Sequence, residues 1–192
     1  MDAASTVVFD LGEVLVPSTG VLAGLAAELG VDEPTLGPAY WAARRAYDLG
    51  GSSTRYWSGV AEAVGRAPDP DVLARLERLD SEKWSTLPAE SAALLRGLVG
   101  VRLAVLSNAP APLAAAVRAA SWSTPFAHLI FSADVGVAKP DPAIYAHADR
   151  LLGGLPAVFF DDRPENVDAA RAHGWDAHVW AGPHEARRII GR

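Results

Sequence analysis

Short apolar runs alternate with longer amphipathic stretches along most of this chain. Thr6-Val-Val-Phe9 is β-branched and aromatic and stops at Asp10, the pattern of a strand buried on both faces. Similar runs occupy 101–106, 128–131 and 157–160, each ending at polar residues, and a weaker one occupies 177–180. Between them, apolar residues recur at helical spacing over 88–98, 111–120, 142–152, 164–173 and 183–190. Pro142 and Pro164 stand where a first helical turn tolerates proline, and Asp141 is placed to cap the helix that follows. Strands alternating with helices in this way predict an α/β fold built on a mostly parallel sheet.

One stretch breaks the alternation. From 18 to 85 no strand-like run appears. Leu22, Leu25, Ala26 and Leu29 share one helical face. A second helical segment over 37–49 stops at the loop Gly50-Gly51-Ser52-Ser53, and a third covers 56–64. Asp69 as cap with Pro70 in the first turn opens a last helix carrying Val72, Leu73, Leu76 and Leu79. The chain therefore divides into an α/β core over 1–17 and 86–192 and an inserted all-α subdomain over 18–85.

Open parallel sheets bind ligands at the carboxyl ends of their strands. Those ends carry Asp10, then Ser107-Asn108, then Asp161-Asp162, with Lys139-Pro140 on the loop after the third strand. Singly, each is ordinary turn or cap chemistry; together, at successive strand ends of one sheet, they make a set. Asp161 and Asp162 repel each other, and Asp10 adds a third negative charge. Lys139 offsets one unit, and a divalent cation would offset the other two. Oxygen-only ligands favour Mg²⁺ over zinc. The competing reading has one of the paired aspartates capping the helix near Pro164 and the other facing solvent.

Composition narrows the remaining choices. The chain has 192 residues, half of them apolar, with 17 basic against 23 acidic residues for a net charge of −6, and no cysteine. That excludes a disulfide scaffold, a thiol nucleophile and cysteine-ligated metal, and it disfavours nucleic acid as a partner. No apolar run reaches the roughly 18–20 residues of a membrane span. The start lacks a signal-peptide layout, so a cytoplasmic protein without a membrane partner, monomeric or homodimeric, is expected. There is no Walker loop or dinucleotide fingerprint, and Ser107 lacks the Gly-x-Ser-x-Gly elbow of a serine triad. The five histidines show no metalloprotease spacing.

Four segments, Phe9-Asp10-Leu11-Gly12-Glu13-Val14-Leu15, Leu106-Ser107-Asn108, Lys139-Pro140-Asp141-Pro142-Ala143-Ile144-Tyr145 and Phe159-Phe160-Asp161-Asp162-Arg163-Pro164-Glu165-Asn166, resemble in order and spacing the motifs of the haloacid dehalogenase (HAD) superfamily. The helical insert falls where members with a C1-type cap carry theirs. The likeness is nearest to the phosphatase-like branch with Asp-Leu-Gly in the first motif, which includes sugar-phosphate phosphatases. It implies a Rossmann-like core and a Mg²⁺-dependent phosphatase acting on a small phosphorylated metabolite. Asp10 would be the nucleophile that forms an aspartyl-phosphate. Its other oxygen, the Gly12 carbonyl and Asp162 would hold Mg²⁺, with Asp161 ligating directly or through water. Ser107 and the Asn108 amide would bind phosphoryl oxygens, and Lys139 would neutralise phosphoryl charge and keep Asp10 ionised.

The chain departs from that pattern at Gly12, where most family phosphatases carry a second aspartate as general acid and base. General acid–base catalysis is typically worth about 10²–10⁴-fold. A good leaving group (an anomeric, acyl or aryl phosphate) would make up the loss most simply; Glu13, water or a group from the cap are the alternatives. The same gap fits a metal-independent 2-haloacid dehalogenase, since halide leaves without a proton, and a catalytically weakened binding protein. The Asp161-Asp162 pair argues for phosphate over halide. In the cap, Tyr40, Trp41, Arg44 and Tyr47 form an aromatic and cationic stripe at helical spacing, making Arg44 and Tyr47 candidate substrate contacts. The bland alternative packs the aromatics inside the cap and pairs Arg44 or Arg45 at the surface. Trp57 and Trp84 are expected in the cap core.

Overall fold

The structure is a computed structural model that describes residues 6–154 and 157–191. The core boundaries read from the sequence also take in 1–5, 155–156 and 192, which lie outside the described residues. In chain order, β1 (Thr6–Phe9) is followed by five helices, α1 (Val21–Leu29), α2 (Glu33–Ala42), α3 (Arg44–Asp48), α4 (Ser53–Ala63) and α5 (Pro70–Ser85). Then come α6 (Ala89–Arg96), β2 (Arg102–Ser107), α7 (Ala111–Ala119), β3 (Phe126–Phe131), α8 (Ser132–Val135) and α9 (Pro142–Leu152). β4 (Ala157–Asp161), α10 (Pro164–Ala172), β5 (Asp176–Val179) and α11 (Pro183–Ile190) complete the fold.

The five strands form one sheet in the order β3-β2-β1-β4-β5, with every neighbouring pair parallel. Val7 and Phe9 enter one hydrophobic cluster and Val8 the other, so both faces of the central strand are covered. Chain connections run outward from β1 in both directions. That reversal opens a crevice at the carboxyl edge. Phe9 lies opposite Val105 of β2 and Phe160 of β4, and the Asp10 amide donates to the Phe160 carbonyl at 2.9 Å. Asp10 thus starts the β1 turn beside the last residues of β4.

The five inserted helices carry a hydrophobic cluster of their own, centred on Leu36, Tyr40, Trp57 and Leu76. Asp69 caps α5 by accepting from the Asp71 and Val72 amides at 3.0 Å, and Asp141 caps α9 through the Ala143 amide at 2.9 Å. The helix expected over 37–49 is instead two, divided at Ala43. The first begins earlier, at an Asp32 cap that accepts from the Thr35 amide at 2.9 Å. Gly37 and Pro38 look like breakers, but this cap and the burial of Leu36 and Tyr40 outweigh them. Trp84 also differs from expectation. It joins the cluster of Leu11 and Val14 in the α/β core, not the cluster of the insert. Among the described residues no helix is long and apolar enough to cross a membrane.

Candidate active site

The polar residues at the strand ends converge around one lysine. Lys139 is 1% exposed, and its Nζ lies 2.9 Å from Asp10 Oδ1 and 2.6 Å from Asp161 Oδ2. Asn108 positions this lysine: its side-chain oxygen accepts from the Lys139 amide at 2.8 Å and its side-chain nitrogen donates to the Lys139 carbonyl at 3.0 Å. Asp161 is fully buried, and its Oδ1 accepts from the Arg163 amide and from Asn166 Nδ2, both at 2.9 Å. The Tyr145 hydroxyl donates to the Asn166 carbonyl at 2.8 Å, fixing that side chain's platform. Neither aspartate of the pair is a simple helix cap. Arg163 is the N-cap of α10, without a side-chain bond, while Asp162 is half-buried.

Charge in this cluster does not balance. Burial pushes the Asp10 carboxyl up to about 6; Asp161 adds to the rise and Lys139 opposes it. Burial and then Asp161 also raise Asp162. Burial works against the charge on Lys139, but Asp10 and Asp161 outweigh it and hold the ammonium above its ordinary value. Three carboxylates therefore face one cation. Asp10, Asp161 and Asp162 each present an oxygen within 4.8 Å of the others. The Gly12 carbonyl accepts no hydrogen bond among the described residues. An oxygen-only, under-neutralised donor set of this kind fits a hard divalent cation such as Mg²⁺, whose charge would bring the raised carboxyls down again.

The cluster opens into a cavity of about 510 Å³. Asp10, Gly12, Ser107, Asn108, Lys139 and Asp162 line it from the sheet, and Trp41, Arg44, Arg45, Asp48 and Trp84 from the insert. Arg163 lies at its rim with Glu165 3.7 Å away. Tyr47 is not among the lining residues. Its ring stacks on Tyr56 with centroids 4.3 Å apart, and its hydroxyl donates to Ser53 Oγ at 3.1 Å. The substrate contact expected of Tyr47 gives way to packing, because the face shared by Tyr40, Arg44 and Tyr47 is the buried one. Arg44 is 7% exposed and heavily engaged: Nε donates to Asp48 Oδ1 at 2.9 Å, and Nη1 reaches Asp80 Oδ2 at 3.1 Å and the Tyr40 hydroxyl at 2.5 Å. Trp41, at 51% exposure, is the aromatic left at the mouth.

The missing carboxylate at Gly12 has a structural counterpart. A Cβ built on Gly12 would lie 3.4 Å from the Trp84 ring, so the indole borders the space beside this position. Trp84 is held there by its Nε1, which donates to the Tyr40 hydroxyl at 2.9 Å. Glu13 takes a left-handed backbone conformation, φ 56°, and its Oε1 accepts from the Ser18 amide at 3.1 Å. Asn166, quoted only as part of the fourth motif, and Ser132, Asp48 and Asp80 carry no role that the sequence assigns. Two signals were available: Asp48 stands four residues after Arg44, and Asp80 interrupts the apolar face of Leu73, Leu76 and Trp84.

A model of the haloacid dehalogenase-like hydrolase family matches residues 4–174. No curated protein matches the chain in sequence. Among solved structures, the L-2-haloacid dehalogenase of Xanthobacter autotrophicus with covalently bound chloropropionic acid is 21% identical, with a TM-score of 0.73 over 98% of this chain and 83% of that one. An aspartate-to-alanine mutant of a HAD family enzyme from Bacteroides thetaiotaomicron, in complex with magnesium and inorganic phosphate, is 16% identical, with a TM-score of 0.70 over 94% and 95% of the two chains. A 2-haloacid dehalogenase from Pseudomonas syringae is 20% identical, with a TM-score of 0.67 over 98% and 99%. These likenesses are of fold, and the fold is common to both chemistries.

Proposed function

Because the chain belongs to the haloacid dehalogenase-like hydrolases, we propose that it is a Mg²⁺-dependent phosphatase that cleaves a small phosphorylated metabolite through an aspartyl-phosphate on Asp10. The observation that carries this reading is the over-negative cluster of Asp10, Asp161 and Asp162 around Lys139. Displacement of halide needs neither a cation nor a proton. Without a divalent cation, burial and Asp161 hinder the ionisation of Asp10 that a dehalogenase nucleophile requires, and Lys139 opposes them.

Bound Mg²⁺ would neutralise phosphoryl charge and hold Asp10 in its ionised form. The residues do the rest. Asp10 attacks phosphorus. Ser107 and the Asn108 amide, at the end of β2, donate to phosphoryl oxygens in the same cavity. Lys139 carries its charge against both Asp10 and Asp161, and Asn166 and the Arg163 amide hold Asp161 in place for it. Phosphoryl transfer depends chiefly on such positioning and charge neutralisation.

The test is a substrate panel. Purified protein is assayed with Mg²⁺ on aryl, acyl, sugar and nucleotide phosphates and, with and without metal, on L-2-haloacids. Phosphate release that needs Mg²⁺ and disappears in Asp10→Asn is the expected result. Metal-independent halide release would move the protein to the dehalogenases.

A further inference from the structure

A phosphatase of this kind has one chemical task without an owner. An alkyl ester leaves as an alkoxide unless something protonates it, and Gly12 has no side chain to do so. Trp84 covers that position, and the Glu13 carboxylate is tied to the Ser18 amide. We propose that Asp48, the last residue of α3 in the inserted helices, is the general acid and base of this site. The proposal rests on the phosphatase reading above and assigns the proton transfer within it.

Three features of the geometry point to Asp48. It lines the same cavity as Asp10, Ser107 and Lys139. Arg44 Nε anchors one of its carboxylate oxygens at 2.9 Å, while the other accepts no hydrogen bond among the described residues and is left to carry a proton. Its backbone is fastened to the phosphate-binding turn. Ser132 Oγ donates to the Asp48 carbonyl at 2.5 Å and accepts from the Ala109 amide at 3.0 Å, and Ala109 directly follows Asn108. A general acid works only when held in register with the leaving oxygen, and this linkage ties the insert to the strand end that would grip the phosphate.

The electrostatics of Asp48 suit the same task. Burial raises its carboxyl to about 6; Arg44 and Arg163 pull it back and Asp80 of α5 adds to the rise. Tyr56 of α4 stays neutral nearby, because burial pushes its phenol up. An acid poised near neutrality can give a proton and take one back.

In the first half-reaction an Asp10 oxygen bonds to phosphorus as the ester P–O bond breaks. The released electron pair on the leaving oxygen takes the Asp48 proton, giving the alcohol and the Asp48 carboxylate. In the second, water bonds to phosphorus and gives one proton to Asp48. The P–O bond to Asp10 breaks, its electron pair returns to the Asp10 carboxylate, and inorganic phosphate leaves. Asp48 ends as it began.

The experiment compares wild type, Asp48→Asn and Asp48→Glu with Mg²⁺, using kcat/KM on esters of graded leaving-group basicity, with thermal melts confirming that each variant is folded. In Asp48→Asn the loss should grow with basicity, reaching about 10²–10⁴-fold on glycerol phosphate or a primary sugar phosphate and staying small on acetyl and p-nitrophenyl phosphate. Phosphoenzyme on Asp10 should accumulate as a pre-steady-state burst, because the attacking water has lost its base. Asp48→Glu should recover part of the alkyl-ester turnover. Loss that is equal on all esters, or absent on all, would overturn the assignment while leaving the phosphatase reading intact. A wild type that releases phosphate from no ester would overturn both.

Discussion

Two buried ionic clusters face the same cavity, and each sets one cation against a pair of carboxylates. In the sheet, Lys139 bridges Asp10 and Asp161; in the insert, Arg44 bridges Asp48 and Asp80. They differ in what is left over. The lysine ammonium is a compact charge that pairs with both partners, and Asp162 forms no ion pair among the described residues, which leaves a donor set consistent with a metal site. The planar guanidinium reaches its two partners through separate nitrogens and bonds Tyr40 as well. It leaves the second carboxylate oxygen of Asp48, a residue that lines the cavity, without a hydrogen bond among the described residues. On the function proposed above, the first cluster would gather positive charge and phosphate, and the second would hold a proton.

Removing the nucleophile gives the largest effect. Asp10→Asn should lower phosphate release by more than about 10⁴-fold while Asp162 and Lys139 keep their places, as single-turnover assays would show.

Breaking each cation in turn separates the clusters. Lys139→Ala and Arg44→Ala each strand two buried carboxylates, and each should cost about 3–5 kcal/mol in denaturant titrations. Only the lysine variant should regain much of that loss on adding Mg²⁺, because only its carboxylates lie in the donor set. Equal rescue of both would mean that the two clusters are not chemically distinct.

Acidity distinguishes them less strongly. Asp48 is raised by burial from 3.8 to about 6, so between those values the native state binds more protons than the unfolded one. Its contribution to stability therefore improves as pH falls through about 6 toward 4 and is unfavourable above. Asp48→Asn, neutral and isosteric, should flatten the pH dependence of thermal stability. At pH about 7.5 it should match or exceed wild type, by no more than about 3 kcal/mol. A clear loss of stability at that pH would show that the ion pair with Arg44 outweighs the cost of burying the charge.

The smallest effect concerns the turn between the clusters. The Cβ of Gly12→Ala would make ordinary contact with Trp84, so its stability should stay within about 1 kcal/mol of wild type. Gly12→Asp should cost about 1–3 kcal/mol through crowding, and Trp84→Ala in the same chain should relieve it. A fully tolerated Gly12→Asp would show that the indole does not restrict a carboxylate at this position.

The strands, the polar residues at their ends and the all-helical stretch between β1 and β2 were readable from the chain alone. Apolar periodicity and turn chemistry are local properties, and Thr6 to Phe9 or Asp69-Pro70 carry them within a few residues. The convergence of Asp10, Lys139 and Asp161 followed from the rule that parallel strands place their carboxyl ends together. The polar architecture of the insert had no such rule behind it. The spacing of Tyr40, Arg44 and Tyr47 shows that they share a helical face but not whether that face meets solvent, ligand or other helices. Packing answered that: Tyr47 went inside, Arg44 met Asp80 from 36 residues away, and Asp48 was tied to Ser132 from 84 residues away. Which carboxylates are buried, and which of their oxygens stay free, depends on how distant segments close around them, so it was settled only when the insert folded against the sheet.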